Sequence, residues 1–475
     1  MQKFYITTPI YYVNDVPHIG HACTTVVADI IARYHKLKGE KVFFLTGTDE
    51  HGTKVAEEAQ KAGLSPKDFC DQVSQNFQGT WSKLNIEYDY FIRTTNPDHE
   101  KIVQEFIEKI YKNGDIYKEK YEGLYCVGCE KFVTETDLID GKCSLHPNKE
   151  IQKQSEENYF FKLSKYAPIL IEAIEDKNNR NHYQVCPQAK KEEVLSKLKR
   201  GIPDLSISRA NVPWGIPIPW DKNQTIYVWV DALLNYYTTL KITNNEDFWP
   251  ADIHLIGKEI LWFHAVIWEA MLLSTGISLP KEIFAHSFYM IDGQKMSKSL
   301  GNVISPQELI DKFGVDGTRY LIASSFPYEK DSDVGWERFV EKYNADLANG
   351  LGNLISRVAK LCETKDYFPK NSPPTAISYL LENGDYQSHM EKLEFNLVLE
   401  EIWKEIKKTD VLINTKRPWE KSNEEAKKTL DEAIRNILNI GYALKPFLPG
   451  TAEKIEKIFR GGEKLEATLF PRATL

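Results

Sequence analysis

The stretch Pro17-His18-Ile19-Gly20-His21 joins a strand-like segment to a helical one, and the rest of the predicted fold follows from this junction. Residues 4–12 before it are largely apolar, and apolar side chains recur after it at helical spacing from Val27 to Leu37. A strand, a turn and a helix in this order predict the first unit of a doubly wound parallel sheet. Because the free N–H groups of a helix N-terminus favour anions, we expect the turn to bind phosphate.

Two histidines, His18 and His21, flank Ile19-Gly20 in this turn. Their rings can donate hydrogen bonds to a phosphate through its transition state, and Gly20 lets a nucleotide approach the backbone closely. Taken alone, the pair is equally compatible with half of a metal site or with two surface histidines.

A second phosphate-binding segment is predicted far downstream, at Lys295-Met296-Ser297-Lys298-Ser299, after the strand-like residues 283–291. Two lysines and two serines on a short loop suit a mobile clamp on the β- and γ-phosphates of ATP. By itself, a loop of this composition is usually only solvated. In this order and spacing, however, the two segments resemble the HIGH and KMSKS signatures of class I aminoacyl-tRNA synthetases.

The bulk composition limits the class of protein. A chain of 475 residues predicts about three domains, and no apolar run is long enough to span a bilayer. The first residues enter a strand at once, so we expect no signal or transit peptide. A net charge of −8 disfavours indiscriminate binding to nucleic acids. Any contact with RNA is therefore expected at local basic segments.

Seven cysteines, an odd number, point to a reducing cytoplasm and not to a disulfide framework. Four of them are scattered among apolar neighbours and are expected to be buried thiols: Cys23, Cys70, Cys186 and Cys362.

The sequence of elements divides the chain into four parts. Residues 1–113 predict the first half of a Rossmann-like parallel catalytic domain, and residues 226–335 predict its second half, with the KMSKS loop and a linker. Between them, residues 114–225 carry short apolar runs and turn residues and are predicted to form a connective insertion. Residues 336–475 lack strand alternation and predict an all-α helix bundle. The expected fold is therefore multidomain α/β, with a doubly wound sheet split by the insertion.

Within the catalytic halves, Asp49 follows a strand predicted at residues 41–46. A carboxylate at the carboxyl end of a strand in this fold faces the ligand, so it could meet the amino group of an amino acid, although a helix N-cap is the alternative. Farther along, residues 225–231 predict a strand and residues 258–274 predict one long amphipathic helix.

The spacing of cysteine and histidine in the insertion predicts a metal site. Cys126-x-x-Cys129 is followed after thirteen residues by Cys143-x-x-His146. Two such knuckles supply four ligands at tetrahedral reach, which is typical of one structural Zn²⁺. Four protein ligands leave no open position for catalysis, so the metal is expected to fold the insertion. A disulfide or chance clustering is the alternative, which a reducing compartment disfavours.

Within class I, the chain resembles methionyl-tRNA synthetases over essentially its whole length. The resemblance rests on YITTPIYYVN at residues 5–14, FLTGTDEHG at 44–52 and WGIPIP at 214–219, together with the zinc insertion and the helical C-terminal part. It implies that L-methionine and ATP, with Mg²⁺, give methionyl-adenylate, which then acylates the 3′ end of tRNA(Met). Because the chain ends at Leu475 without the further domain through which some members dimerise, we expect a monomer.

The resemblance also implies three sets of site residues. The methionine pocket is expected to be formed by Ile10, Tyr12, Asp49, Trp229, Ala232, Leu233, Tyr236, Ile260 and His264. The ATP site is expected at His18, Gly20, His21, Gly257, Glu259, His286 and Lys298, with His18, His21, Lys295 and Lys298 as the catalytic groups. The anticodon is expected to be read by Asn353, Arg357 and Trp419. Without the resemblance, core packing is the favoured explanation of Trp229 and Tyr236, and it explains Trp419 as well as base stacking does.

Other class I synthetases are the nearest alternatives. Leucyl, isoleucyl and valyl enzymes carry a large editing domain that residues 114–225 are too short to hold. Cysteinyl enzymes use zinc to hold a substrate thiolate, which a closed four-ligand set does not do. A free nucleotidylyltransferase has no reason to carry a helix bundle. A catalytically silent tRNA-binding scaffold is opposed by the intact His18, His21, Lys295 and Lys298.

Overall fold

The computed structural model describes residues 2–13, 16–128, 131–133, 138–144, 146–210, 212–296, 301–367 and 384–475. The predicted site residues Cys129 and Lys298 lie outside these ranges.

The chain opens with alternating strands and helices, as the sequence predicts. In order they are β1 (Lys3–Tyr12), α1 (Ile19–Leu37), β2 (Lys41–Asp49), α2 (Thr53–Lys61), α3 (Pro66–Lys83), β3 (Tyr90–Arg93) and α4 (Pro97–Lys112). Helices α3 and α4 begin where the sequence supplies a cap: the side chains of Ser65 and Asn96 accept backbone N–H groups, and a proline follows each.

The next part is rich in short strands. They and two helices are β4 (Ile116–Cys126), β5 (Lys131–Val133), β6 (Leu138–Ile139), β7 (Lys142–Cys143), β8 (Ile151–Phe161), α5 (Leu163–Glu175), β9 (Gln184–Cys186), α6 (Gln188–Lys199), β10 (Leu205–Ser206), β11 (Ser208–Arg209), β12 (Pro217–Ile218) and β13 (Asp221–Ile226). Strands β4 and β8 form a long antiparallel pair. Strand β10 pairs with β8 and β5 pairs with β4, which gives a four-stranded sheet.

The α/β pattern then resumes with α7 (Val228–Ile242), β14 (Ile253–Gly257), α8 (Glu269–Thr275), β15 (Glu282–His286), β16 (Tyr289–Ile291), β17 (Gln294–Lys295), α9 (Pro306–Ser324) and β18 (Ser332–Val334). The remainder is helical, as predicted: α10 (Trp336–Lys342), a π-helical segment (Tyr343–Leu351), α11 (Gly352–Thr364), α12 (Gly384–Glu391), α13 (Phe395–Lys416), α14 (Asn423–Leu444) and α15 (Pro449–Gly461). Within the described ranges, none of the helices combines the length and apolar character that a bilayer crossing requires.

Parallel strands of the described chain form the central sheet in the order β3-β2-β1-β14-β15-β9. This is the doubly wound sheet that the sequence predicts, and the chain changes its direction of growth between β1 and β14. In such a sheet the ligand crevice lies outside the carboxyl ends of the strands, at that change of direction. The fold thus places the ends of β1, β2, β14 and β15 around one crevice.

Two predictions about secondary structure are wrong. Residues 225–231 do not form one strand, because β13 ends at Ile226 and α7 begins at Val228. Helix α7 is buried on nearly every side, and an apolar run of this kind does not distinguish a buried strand from a buried helix. Residues 258–274 do not form one helix either: a 3₁₀ turn at Lys258–Ile260 and a π-helical segment at Phe263–Trp268 precede α8.

One strand crosses the predicted division of the chain. Strand β9 lies inside residues 114–225, yet it pairs in parallel with β15 at the edge of the central sheet. That part of the predicted insertion therefore belongs to the catalytic sheet. Sequence order alone could not show this, because the pairing joins Val185 to Ile283 across almost one hundred residues. Among the predicted buried thiols, Cys23, Cys70 and Cys362 are buried, whereas Cys186 on β9 is half-buried.

A buried arginine ties the helical part to the catalytic sheet. Arg319 on α9 donates to the carboxylate of Asp29 on α1 at 2.6 Å and to the carbonyls of Pro446 and Phe447, both at 2.9 Å. Both members of this ion pair are fully buried. The loop between α14 and α15 is thereby fixed against α1, the helix that His18 caps.

Candidate active site

The predicted phosphate-binding turn caps helix α1. The Nδ1 of His18 accepts the backbone N–H of Gly20 at 3.0 Å, and the backbone N–H of His18 donates to Nδ1 of His21 at 3.4 Å. The two rings stack with their centroids 3.7 Å apart. Because each Nδ1 accepts a hydrogen bond, a neutral ring carries its proton on Nε2. Nε2–H is therefore the ring donor of each neutral histidine.

The charge state of His21 fits this arrangement. Desolvation lowers the pKa of His21 well below its ordinary value, and the neighbouring His18 lowers it further. At neutral pH, His21 is thus an uncharged donor. Gly20 is required beside these rings, since a Cβ at that position would lie 2.8 Å from Cε1 of His18.

A cavity of about 400 Å³ opens in front of this turn. Its lining includes the predicted ATP residues that the structure describes, at His18, Gly20, His21, Gly257, Glu259 and His286, and also Lys295 and Ile260. Gly257 and His286 are the last residues of β14 and β15 and are partners in register. The side chain of Glu259 folds back so closely that a Cβ on Gly257 would lie 2.5 Å from Oε2.

His286 lines this cavity as a neutral ring. Burial lowers the pKa of His286 to about 4, and the hydrogen bond to the carbonyl of Ser287 only partly opposes this. Nδ1 donates to that carbonyl at 2.7 Å, so Nε2 accepts the hydroxyl of Thr24 at 2.8 Å. Both ring nitrogens are therefore engaged within the protein.

A smaller cavity of about 250 Å³ adjoins the first. It is lined by the predicted methionine residues Ile10, Tyr12, Asp49, Trp229, Ala232, Leu233, Tyr236 and His264, while Ile260 lies on the larger cavity. The two cavities share a wall made by Pro9, Ile10, Tyr12 and Trp229. Tyr12 and Asp49 are register partners at the carboxyl ends of β1 and β2. The geometry thus joins an aromatic pocket that contains a carboxylate to a cavity that lies at the N-terminus of α1.

The floor of the smaller cavity is a chain of hydrogen bonds. His264 Nδ1 donates to the carbonyl of Ile260 at 3.0 Å, so its Nε2 accepts the hydroxyl of Tyr236 at 2.7 Å. Burial lowers the pKa of His264 to about 4, which keeps the ring neutral. Tyr5 in turn donates to the carbonyl of Tyr236 at 2.7 Å. Since the Tyr236 proton is committed to His264, the floor offers a ligand an aromatic, uncharged surface.

The residue after Asp49 anchors its strand. Glu50 is fully buried and accepts Arg93 Nε at 2.7 Å and Nη2 at 2.9 Å, the bidentate geometry that arginine favours. Its carboxylate also accepts the hydroxyls of Thr48, at 2.8 Å, and Thr95. Asp49 itself is 8 % exposed at the cavity wall. The end of β2 is therefore held rigidly next to the cavity.

Part of the predicted zinc site is assembled. Cys126, Cys143 and His146 bring their ligand atoms within 4.8 Å of one another. A Cβ on Gly128 would lie 2.5 Å from Cγ of His146, so glycine is needed for this close approach. Two sulfurs and an imidazole form a donor set that suits Zn²⁺.

The predicted anticodon residues lie on the helical part. Asn353 lines a groove of about 460 Å³ with Trp403 and Asp410, among others. Arg357 donates to Asp410 at 2.5 Å and to Asn414 at 2.6 Å, which holds its guanidinium beside that groove. Trp419 is 43 % exposed on a 3₁₀ turn, Pro418–Glu420. A large aromatic side chain is thereby left open to solvent.

Comparisons with known proteins show the family of this chain. The family described as tRNA synthetases class I (M) matches residues 4–145 and 129–359. The methionine–tRNA ligase of Caldanaerobacter subterraneus subsp. tengcongensis is 42% identical over 474 residues, covering 96% of this chain and 73% of the relative. That of Thermosynechococcus vestitus is 40% identical, covering 95% of this chain and 89% of the relative. The chain belongs to the methionine–tRNA ligase family.

Solved structures of the family share the whole fold. Mycobacterium tuberculosis methionyl-tRNA synthetase in complex with methionyl-adenylate superimposes with a TM-score of 0.88 at 34% identity, covering 100% of this chain and 98% of that one. The free form of the same synthetase gives a TM-score of 0.83, covering 100% of this chain and 99% of that one. Our structure is thus more similar to the adenylate-bound member of the family than to the free one.

Sequence reasoning missed several residues of this site. Lys54 lines the smaller cavity and donates to the carbonyl of Gly128, which lies between the two cysteines of the first knuckle. Its position in the first turn of α2, just after Asp49-Glu50-His51-Gly52, was the signal available for it. Thr24 and Phe288 line the larger cavity. Neither carries a charge or a motif that would have singled it out.

Proposed function

We propose that this protein activates L-methionine with ATP to form methionyl-adenylate and pyrophosphate, and then transfers the methionyl group to the 3′ end of tRNA(Met). The observation that carries this proposal is the pair of cavities that meet at Pro9, Ile10, Tyr12 and Trp229. Two substrates bound on either side of a shared wall have their reacting groups next to each other, which is the condition for a direct attack.

In the smaller cavity, Asp49 binds the ammonium group of methionine. The thioether side chain lies against Ile10, Trp229 and Tyr236, with Ala232, Leu233 and His264 completing the pocket and Ile260 contributing from the adjoining larger cavity. Aromatic rings suit a polarizable sulfur, and the neutral His264–Tyr236 pair places no charge near it. Trp229 is held for this contact by stacking on Phe263, with the ring centroids 3.9 Å apart.

ATP is bound by His18, Gly20, His21, Gly257, Glu259 and His286, which line the larger cavity, and by Lys298. The methionine carboxylate attacks the α-phosphate in line, and pyrophosphate leaves. The Nε2–H groups of His18 and His21, together with Lys295 and Lys298, stabilise the negative charge that develops on the phosphates. Mg²⁺ accompanies the ATP and is held mainly by phosphate oxygens.

The second step requires tRNA in the same crevice. The terminal adenosine attacks the carbonyl carbon of methionyl-adenylate, and AMP leaves. We assign anticodon reading to residues 336–475, through Asn353, Arg357 and Trp419, because exposed aromatic and amide side chains read single-stranded RNA by stacking and edge contacts. If Trp419→Ala charged tRNA(Met) as well as the unchanged protein does, this assignment would be wrong.

We further propose that Cys126, Cys129, Cys143 and His146 hold one structural Zn²⁺. The metal supplies cross-links between the two knuckles and no catalysis, since four protein ligands close its coordination. The three described ligands and the tight fit of Gly128 support this assignment. Elemental analysis of protein purified without chelator should give about one zinc per chain, and Cys143→Ser should lose it.

We propose four domains or domain parts, at residues 1–113, 114–225, 226–335 and 336–475. Strand β9 lies in the second of these ranges but belongs to the central sheet. We also propose that the protein acts as a monomer in the cytoplasm. Light scattering of the purified protein tests the oligomeric state: a mass near 54.8 kDa supports the monomer, and twice that mass contradicts it.

The proposed reaction is tested by amino-acid-dependent exchange between ATP and labelled pyrophosphate, without tRNA and with all twenty amino acids. Exchange should depend on methionine and be lost in Lys298→Ala. Exchange with a different amino acid would keep the synthetase class and reject the proposed pocket. A lack of exchange with every amino acid would support a scaffold that only binds tRNA.

A further inference from the structure

Helix α7 is buried on two faces against different neighbours. One face carries Trp229, Ala232, Leu233 and Tyr236 into the smaller cavity. The other face carries Asp231, Asn235 and Thr238, which are spaced so that they lie along one side of a helix. All three are polar and buried, and none of them lines either cavity of the candidate active site.

Asp231 is the centre of a hydrogen-bonded cluster on that second face. Its Oδ2 accepts His51 Nδ1 at 2.7 Å, and its Oδ1 accepts His99 Nε2 at 2.7 Å. His99 Nδ1 is in turn 2.7 Å from the hydroxyl of Thr238. His51 follows the end of β2 and His99 lies in the first turn of α4. One carboxylate therefore joins three segments that are distant in sequence.

The charges in this cluster strengthen the link. Burial opposes the charge on His51, but Asp231 outweighs it and raises the pKa of His51 to about 10, with Glu100 and Asp49 adding to the effect. Burial likewise opposes the charge on Asp231, but His51 and His99 hold the pKa of this carboxyl below its ordinary value. Breaking a buried ion pair leaves an uncompensated charge, so the pair resists any separation of its two segments.

We propose that Asp231, through His51, is a positioning residue for amino-acid binding: the pair fixes the aromatic wall of α7 relative to Asp49 and so sets the affinity for methionine without touching it. This inference rests on the function proposed above. Asp231 is two residues from Trp229, and His51 is two residues from Asp49. The Asp231–His51 pair therefore connects the segment that carries Asp49, which binds the ammonium group, to the helix that carries Trp229, which contacts the methionine side chain.

The phosphate-binding part of the ATP site is held independently of this link, although Trp229 on α7 also lines the larger cavity. The turn at His18 is held by its own cap and by the hydrogen bond from Ile19 N–H to the carbonyl of Ile304, at 2.9 Å. His286 is held by Thr24 and by the carbonyl of Ser287. Loss of the Asp231–His51 pair should therefore weaken methionine binding and leave ATP binding unchanged.

The test compares Asp231→Asn and His51→Gln with the unchanged protein by pyrophosphate exchange. Methionine is varied at saturating ATP, and ATP is varied at saturating methionine. We expect the KM for methionine to rise at least fivefold in both variants, with the KM for ATP within twofold and kcat within threefold. Calorimetric titration of methionine should show the same loss of affinity. The double variant should have a KM for methionine no higher than that of Asp231→Asn alone, because both changes remove the same interaction.

Asp115→Asn is the matched control. Asp115 is a similarly buried carboxylate, which accepts Lys165, Tyr166 and Ser274, and it lines neither cavity. It should leave the KM for methionine within twofold. A folded Asp231→Asn or His51→Gln protein with an unchanged KM for methionine would overturn the inference, as would a parallel rise in both KM values. If Asp231→Asn does not fold, His51→Gln keeps the test. If the unchanged protein shows no methionine-dependent exchange, the proposed function fails instead.

Discussion

Gly20 shows how closely a single residue is fitted to its surroundings. The sequence pointed to it as a place where a nucleotide approaches the backbone. The structure adds that the space of its absent Cβ is taken by the ring of His18, 2.8 Å from the position of that Cβ. His18 in turn accepts the N–H of Gly20, so the two residues fix each other.

Gly20→Ala should therefore displace the His18 ring from the phosphate site. Because a misplacement of about 1 Å at a reacting group can cost about 10²-fold in rate, we expect a loss of that order in kcat/KM for ATP. Pyrophosphate exchange at varied ATP measures it. Gly79→Ala is the control, since a Cβ there meets nothing within 4 Å, and it should leave exchange unchanged.

His51 gives a prediction about pH. Its pKa in the folded protein, about 10, lies above the ordinary value of 6.5, so its pairing with Asp231 stabilises the fold fully below about pH 6.5. That contribution decreases as the pH rises towards 10 and is lost above it. The melting temperatures of the unchanged protein and of His51→Gln should thus differ most near pH 6.5 and converge by pH 10.5. A constant difference across this range would contradict the charged pair.

At the scale of single residues, the sequence predicts features that local order reveals, and it does not predict contacts between residues that are far apart in the chain. Asp49, His18 and Gly20 stand at strand ends and turns, where local order reveals their exposure to a ligand. The partner of His51 lies 180 residues away, so no local pattern could predict their contact. Lys54, by contrast, stands five residues after Asp49, and that closeness in sequence was the signal that could have identified it as a residue of the cavity wall.

Among the elements, the strand and the helix on either side of the turn at His18 were predicted, because an apolar run and a helical period mark them. Helix α1 begins at Ile19, directly after its capping residue His18, and α3 and α4 begin at their prolines. Helix α7 was mistaken for a strand because burial on nearly all sides removes the 3.6-residue period. The π-helical segment at Phe263–Trp268 was mistaken for ordinary helix, since its sequence is simply apolar.

The knuckle that contains Cys126 gives a prediction for one element. Gly128→Ala should push the His146 ring away from the two cysteines, because a Cβ would lie 2.5 Å from Cγ of that ring. The zinc content should fall well below one per chain, while Gly79→Ala retains the metal. Mass spectrometry of the metal in the purified proteins measures this. A full complement of zinc in Gly128→Ala would show that His146 is not a ligand.

In the whole molecule, the Arg319–Asp29 pair joins the helical part to the catalytic sheet. The Arg319 guanidinium also donates to the carbonyls of Leu84, Pro446 and Phe447, so with Asp29 four acceptors from three regions of the chain meet at one side chain. Composition and periodicity predicted the sheet and the bundle as separate units. They contained no information about how the two are joined.

Arg319→Met should lower the free energy of unfolding by about 3–5 kcal/mol, because it leaves Asp29 and several carbonyls buried with fewer partners. It should also reduce tRNA charging more than pyrophosphate exchange, since only charging uses both parts of the molecule. Urea unfolding and the two activity assays measure these effects. Lys67→Met, which breaks an exposed pair with Asp71, is the control and should change stability little. Equal losses in both assays would argue against a joining role.

The most direct test of the proposed two-step reaction is the charging of a tRNA(Met) transcript with labelled methionine. Purified protein, ATP and Mg²⁺ should convert most of the transcript to methionyl-tRNA, and the product should be absent when Lys298→Ala replaces the unchanged protein. Transcripts with a different anticodon should be charged far more slowly. Charging with another amino acid, or no charging despite methionine-dependent exchange, would contradict the two-step reaction assigned to this site.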